Sequence, residues 1–232
     1  MERARAERSD AASSGPGQPG WQAEKSALMR QQILEAAIRC FVKLGYARTT
    51  TTEIAQEAGV SRGAMVHHFS NKERLIKAAV EHLHDRRVAS FRDAIANIDP
   101  KSDRQTEGIE RYWDLLSDPT FVAFHELTFA ARTDPTLEAI VGPAVREFEA
   151  EWYEQAKQSF PEWADTGRLF DLAMDLTQFL MEGMAIHSMM DDNSARYQRL
   201  RRYLVNRLKE ILAAADDPDP DAAVGRFLAD DS

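Results

Sequence analysis

The chain of 232 residues lacks several features that would each have pointed to a particular chemistry. It has one cysteine, Cys40, so no intrachain disulfide and no cysteine-based zinc site can form. That usage fits a reducing cytoplasm, the expected location. No apolar run is clean enough to span a membrane. The most apolar stretch, 169–190, is interrupted by Asp171, Asp175 and Glu182 and reads as a buried helix. The opening Met1-Glu2-Arg3-Ala4-Arg5 has no apolar segment behind it, so no signal peptide is expected. Glycine-rich phosphate loops and H-E-x-x-H zinc helices are absent. Gly59-Val60-Ser61-Arg62-Gly63 matches the G-x-S-x-G nucleophile elbow. It follows an amphipathic helix rather than a strand, so the match is accidental. His67 and His68 are adjacent and would point about 100° apart on a helix, which makes a poor metal pair. No catalytic residue, metal or cofactor is expected.

What is present is a core and an uneven charge. Hydrophobic residues make up 44% and charged residues 29%, the balance of a protein that buries a sizeable interior. The net charge is −9. From Lys25 to Ser90, however, 11 Lys+Arg face 6 Asp+Glu, a local +5. The first 24 residues carry −1 and the remainder from Phe91 carries −13. A basic module joined to an acidic body suggests a polyanion partner for the module alone.

Periodicity divides the chain. Residues 1–24 are polar, with a Ser-Gly-Pro-rich centre, and read as a disordered arm. Arg3, Arg5 and Arg8 could serve a DNA groove, or the arm is a solvated tail. In 25–70, Ile33, Leu34, Ala37, Ile38, Phe41 and Leu44 fall on one helical face, and Gly45 ends that helix. Thr50 with Glu53 predicts a capping box for a second helix, whose inner face is Ile54, Ala55 and Ala58. Gly59 turns the chain, and Ser61 caps a third helix running to about His68. Its Met65 and Phe69 point inward, while Arg62, Ala64 and His67 point outward. Ser70 is the expected cap of a fourth, connecting helix over 71–90. Two short helices joined by a glycine turn and packed on a longer one make a helix-turn-helix, whose second member reads the major groove. Cys40 lies beside core positions and reads as packing.

The runs Ile33-Leu34-x-Ala36-Ala37-x-x-x-Phe41, Gly45-Tyr46-x-x-Thr49-Thr50-x-x-x-Ile54-Ala55, Ala58-Gly59-Val60-Ser61-x-Gly63 and His68-Phe69-x-Asn71-Lys72-Glu73-x-Leu75 stand in this order over about 50 residues. They resemble the TetR/AcrR family of transcriptional regulators. The resemblance implies an all-α fold: an N-terminal three-helix helix-turn-helix DNA-binding domain plus a larger helical ligand-binding and dimerisation domain. It implies that Thr50 bonds a phosphate, that Ser61, Arg62, Gly63, Ala64, Val66 and His67 lie at the major groove, and that His68 and Lys72 hold the backbone. Many members carry Tyr where this chain has Val66, which cannot bond a phosphate and could instead touch a thymine methyl or a sugar. Arg62 would then carry most of the base readout, or else replace the lost phosphate contact.

Residues 91–214 read as further helices, with boundaries at Asp99-Pro100, Asp118-Pro119, Asp134-Pro135 and Phe160-Pro161 and a kink or break at Gly142-Pro143. The segment 169–190 is apolar almost all round. The last long helix carries the stripe Tyr197, Leu200, Leu204, Leu208 and Ile211. The resemblance implies that these two helices form a homodimer interface, with Leu180, Met184, Leu200, Leu204 and Leu208 as the expected contacts. It also implies a small-molecule effector in this domain, with Trp113, Phe121, Phe124, His125, Phe129, Trp152, Phe170, Met174, Gln178, Met181 and His187 as candidates. Each of these apolar residues could equally be plain core. Residues 215–232 read as an acidic tail.

The expected function is a ligand-responsive regulator, a repressor released from a palindromic double-stranded DNA operator by a hydrophobic or aromatic effector. The alternative is an effector-independent architectural or division-control protein on the same fold. A cavity of roughly 300 Å³ or more favours the first, and a closed, dry core the second.

Overall fold

The computed structural model describes residues 19–99, 101–163, 165–191, 193–216 and 225; the expected arm over 1–18 and the tail beyond 216, apart from Gly225, lie outside the described residues. Among these residues the secondary structure is helical. The elements are α1 (Pro19–Leu44), α2 (Thr51–Ala58), α3 (Arg62–His68), α4 (Lys72–Ala96), α5 (Arg104–Leu116), α6 (Pro119–Ala131), α7 (Pro135–Ser159), α8 (Arg168–Ser188) and α9 (Ser194–Ala213), with short 3₁₀ turns at Pro161–Trp163 and Ala214–Asp216.

Most helix starts follow their sequence signals. Thr50 accepts from the Glu53 backbone N–H, and the Glu53 carboxylate accepts from the Thr50 backbone N–H, closing the capping box. Ser61 accepts from the Ala64 N–H at 3.1 Å. Asp118 and Asp134 cap α6 and α7, each followed by a proline that needs no hydrogen bond at its position. Four expectations are corrected. The cap of α4 is Asn71, which bonds the Arg74 N–H at 2.8 Å, and not Ser70. α1 begins at Pro19 rather than at residue 25, so 19–24 are helical. α4 runs six residues past residue 90, because Phe91 and Ile95 continue its buried stripe. α7 runs through Pro143 as one helix, so the expected interruption does not occur there, and it packs on α4 and α6.

The apolar residues form two cores. One joins α1, α2, α3 and the first half of α4 to Ala123, Leu127 and Ala131 of α6 and Leu137 and Val141 of α7. The other joins the second half of α4 to α5, α7, α8 and α9. α4 belongs to both. The head also meets the body at a polar latch. Gly45, in the left-handed conformation at φ 76°, ends α1 and aims the next N–H outward. The Tyr46 N–H donates to Glu126 Oε1 of α6 at 2.7 Å, and the Tyr46 hydroxyl donates to Asp134 Oδ2 at 3.4 Å.

Gly45 has two reasons to be glycine. Its φ is costly for any other residue, and a Cβ there would lie 2.9 Å from Glu126 Oε1. We expect Gly45→Ala to lower stability by about 1–3 kcal/mol in a chemical melt, from backbone strain plus the displaced latch. Glu126→Ala, which removes the bond but leaves Gly45 unstrained, should cost less. An unchanged Gly45→Ala midpoint would contradict this account.

Candidate nucleic-acid interface and interior site

The turn between α2 and α3 is made by Gly59 at φ 66°, whose N–H bonds the Ala55 and Gln56 carbonyls. It sets α3 across the end of the head, anchored by Met65 and Phe69, at 2% and 6% exposure. The opposite face of α3 is open. Arg62, Gly63, Val66 and His67 are exposed and Ala64 is half-buried. Val66, at 55% exposure, is an apolar side chain that the protein leaves in water. Arg62 is the first residue of α3, because Ser61 is the cap. The Ser61 and Thr50 oxygens accept their capping bonds, which leaves each hydroxyl hydrogen able to donate to an outside oxygen.

Around this face stand basic side chains. His67 and His68 pack edge to face at 5.3 Å. Burial first, then His67 and Arg30, push the His68 imidazole below its usual range. Lys72, at the first turn of α4, lies 5.0 Å over the Tyr46 ring. Arg30 of α1 lies 5.2 Å over the Phe69 ring, beside His68, and was not among the expected residues. Its signal was available: it projects from the polar side of α1 one turn before Ile33.

In the body the expected effector residues do not gather at one place. A cavity of about 80 Å³ lies between α4, α5, α7 and α8, and Trp152, Met174 and Phe170 are in its wall. Trp113 instead stacks on Tyr197 at 5.7 Å under the Arg201 guanidinium. Phe124 packs on Phe148, and Met181 is fully buried core. Phe129 is 55% exposed on α6. His187 is exposed at the end of α8, bonded to the Tyr197 hydroxyl at 2.8 Å. Phe121, His125 and Gln178 belong to a second region, whose centre is Arg87 of α4.

Arg87 is 9% exposed, with its guanidinium between the Phe124 and Phe148 rings at 4.0 and 3.9 Å. A small space of about 30 Å³ beside it is walled by Phe121, Tyr112 and Trp152, among others. Nearby, the Tyr112 hydroxyl donates to Glu182 Oε1 at 3.4 Å, and His125 Nε2 lies 3.8 Å from Glu182 Oε2. Burial pushes the Arg87 guanidinium down to about 10, opposed by Tyr112 and Glu182. Burial, then the Arg87 charge, pushes His125 down to about 4. Glu182 is pushed up by burial, opposed by Arg87 and by bonds from Tyr112 and Gln178. Arg87 was missed from the sequence. Its signal was the apolar stripe Leu83-x-x-x-Arg87-x-x-x-Phe91-x-x-x-Ile95, where a cation occupies a core position.

The expected dimer residues are also redistributed. Leu204, Leu208 and Met184 are 0%, 6% and 5% exposed within the single chain, because the α9 stripe faces its own domain. Leu180 and Leu200 are half-buried and flank an open groove with Phe179, Gly183 and His187. Phe179 at 68% and Tyr203 at 56% exposure are the apolar residues that α8 and α9 leave outside.

Comparison with known proteins gives four results. The sequence profile of the tetR family of bacterial regulatory proteins matches residues 33–79. The HTH-type transcriptional regulator TtgR of Pseudomonas putida is 50% identical over 62 residues, 27% of this chain and 30% of that protein. The match thus spans about a third of that relative's length. CymR, another HTH-type transcriptional regulator of Pseudomonas putida, is 25% identical over 195 residues, 83% of this chain and 95% of that protein. A tetR-family transcriptional regulator from Streptomyces coelicolor shares the fold at a TM-score of 0.60 and 24% identity, over 87% of this chain and 92% of that one. The helix-turn-helix of α2 and α3 set on α1 thus matches the tetR family of bacterial regulatory proteins over residues 33–79, and the chain with its larger helical body shares the fold of a tetR-family regulator.

Proposed function

We propose that this protein is a ligand-responsive transcriptional repressor that binds a palindromic DNA operator in the cytoplasm as a homodimer. The observation that carries the DNA reading is the open face of α3, with Arg62, Val66 and His67 outward on a helix whose inner side is firmly anchored. Arg62 lies at the end of α3 that enters a major groove first, where its planar fork suits guanine O6 and N7. Thr50, Ser61, His68 and Lys72 flank the groove and meet phosphate, and Arg30 joins them. Gly63 and Ala64 allow close approach, and Val66 suits a thymine methyl. The fold supports a regulator and not an enzyme.

The dimer reading rests on Phe179 and Tyr203. A helix pair that exposes aromatic rings beside half-buried leucines has a face left to cover. A second copy would cover it by two-fold symmetry. The effector reading does not rest on volume, because the cavities are well below the roughly 300 Å³ of a drug-sized site. It rests on polar groups that a closed, self-sufficient core would not leave unpaired.

Two experiments test this. On an operator selected from random duplexes, Arg62→Ala should lose about 1–3 kcal/mol and relax one base position per half-site. Lys72→Ala should weaken operator and scrambled duplex alike and lower the salt slope by about one per contact. Equal losses by both variants on both duplexes would remove Arg62 as a base reader. In sedimentation, Phe179→Glu should give folded monomers that no longer hold the operator, whereas Leu204→Glu, at a fully buried position, should unfold the body. A wild-type monomer at micromolar concentration would contradict the dimer.

A further inference from the structure

Four buried side-chain atoms have no hydrogen-bond partner among the described residues: Arg87 Nη1, Trp152 Nε1, His125 Nε2 and His84 Nδ1. Leaving even one such group unpaired is costly in a protein interior. Two of them, Arg87 and Trp152, line the same space of about 30 Å³. Arg87 and Trp152 are 9% and 5% exposed, so bulk water does not serve them. Both free groups are obligate donors, since neither a guanidinium nor an indole N–H can accept. Asp118, in the wall of the same space, is taken up capping α6 and facing Arg86, and so does not fill the need. Glu182 is held by Tyr112 and Gln178, and no ion pair or hydrogen bond joins it to Arg87. The corner therefore asks for a group that brings only acceptors, and preferably a negative charge.

The space adjoining it asks for something different. The cavity of about 80 Å³ shares Phe91, Tyr112 and Trp152 with the polar corner, and continues between Phe160, Trp163 and Phe170. Its walls are mostly rings and aliphatic chains. Flat apolar matter fits between aromatic walls by offset and edge contacts. A cavity of about 150 Å³ lined by apolar side chains admits benzene, so these linked spaces suit a single ring with modest expansion.

We propose that the two spaces form one site for a small aromatic carboxylate, with the carboxylate on Arg87 and the Trp152 indole N–H and the ring in the apolar cavity. This rests on the reading of the body as an effector domain and names the effector's chemical class. Arg87 sits on α4, fifteen residues from Lys72 and so about 22 Å along the same helix. A carboxylate that pulls on Arg87 acts directly on the helix whose first turn lies beside the reading head.

The test is calorimetric titration of the full-length chain with benzoate and phenylacetate, against benzamide, phenylacetamide and sodium chloride. Charge-assisted bonds should make the acids bind at least about tenfold tighter than the matching amides. Arg87→Met should abolish that preference. Because a buried variant can fail to fold, Trp152→Phe serves as the second probe. It removes only the indole donor, and should weaken the acids about fivefold while keeping acids ahead of amides. The proposal is overturned if no acid binds at about 1 mM. It is equally overturned if amides bind as well as acids, if wild type and Arg87→Met bind acids alike, or if chloride competes at equal concentration. Selection of duplexes by the ligand-free chain is run separately. Carboxylate binding without DNA binding would sustain this inference and remove the regulator reading. DNA binding without carboxylate binding would remove this inference alone.

Discussion

The structure depends on α4 serving two cores at once. Its first half closes the interior of the head with Leu75, Ile76 and Leu83, and its second half enters the body with Val88, Phe91 and Ile95. Burying each of these side chains is worth about 1.5–3 kcal/mol, so neither end can slide without loss. The head is held a second time by the Tyr46 N–H on Glu126 and by the shared packing of Leu127, Leu137 and Val141. A rearrangement inside the body therefore reaches the reading head by two routes, one through α4 and one through α6. Both are rigid elements with dense packing, which makes a shift of either discrete rather than graded.

Arg87 stands where α4 passes from one core to the other. A buried guanidinium between two phenyl rings is partly stabilised by those rings, but its remaining donors are not satisfied by them. Among the described residues four buried side-chain atoms lack a hydrogen-bond partner, and two of them, on Arg87 and Trp152, adjoin the apolar cavity between α4, α5, α7 and α8. Elsewhere the body is conventional core, including Met181, Leu169 and Leu204, each with no solvent exposure.

The head was legible in the sequence because its signals are local. Gly45, Gly59, Thr50 with Glu53, and Ser61 each fix a turn or a cap within four residues, and the structure holds all of them. The cap of α4 slipped by one because Ser70 and Asn71 are both competent and only the backbone angle decides. The body was less legible because aromatic and Met residues at helical spacing mark a buried face without saying what covers it. The stripe Tyr197, Leu204, Leu208 and Ile211 reads the same whether it meets its own domain or a second copy, and it meets its own domain. Phe129 and Phe179 look like core by composition yet stand in water. Arg87 was overlooked because it lies in 71–90, read as a connecting helix, ahead of the 91–214 domain in which effector residues were sought.

The claim that everything else serves is that α3 reads DNA from a two-fold dimer. The most direct measurement is recovery of duplexes from a random library by the wild-type chain at near-physiological salt. The account predicts a recovered two-fold symmetric element whose half-site centres lie about one helical turn, or a whole number of turns, apart. A recovered pool with the composition of the input, or a single unpaired half-site, would contradict it.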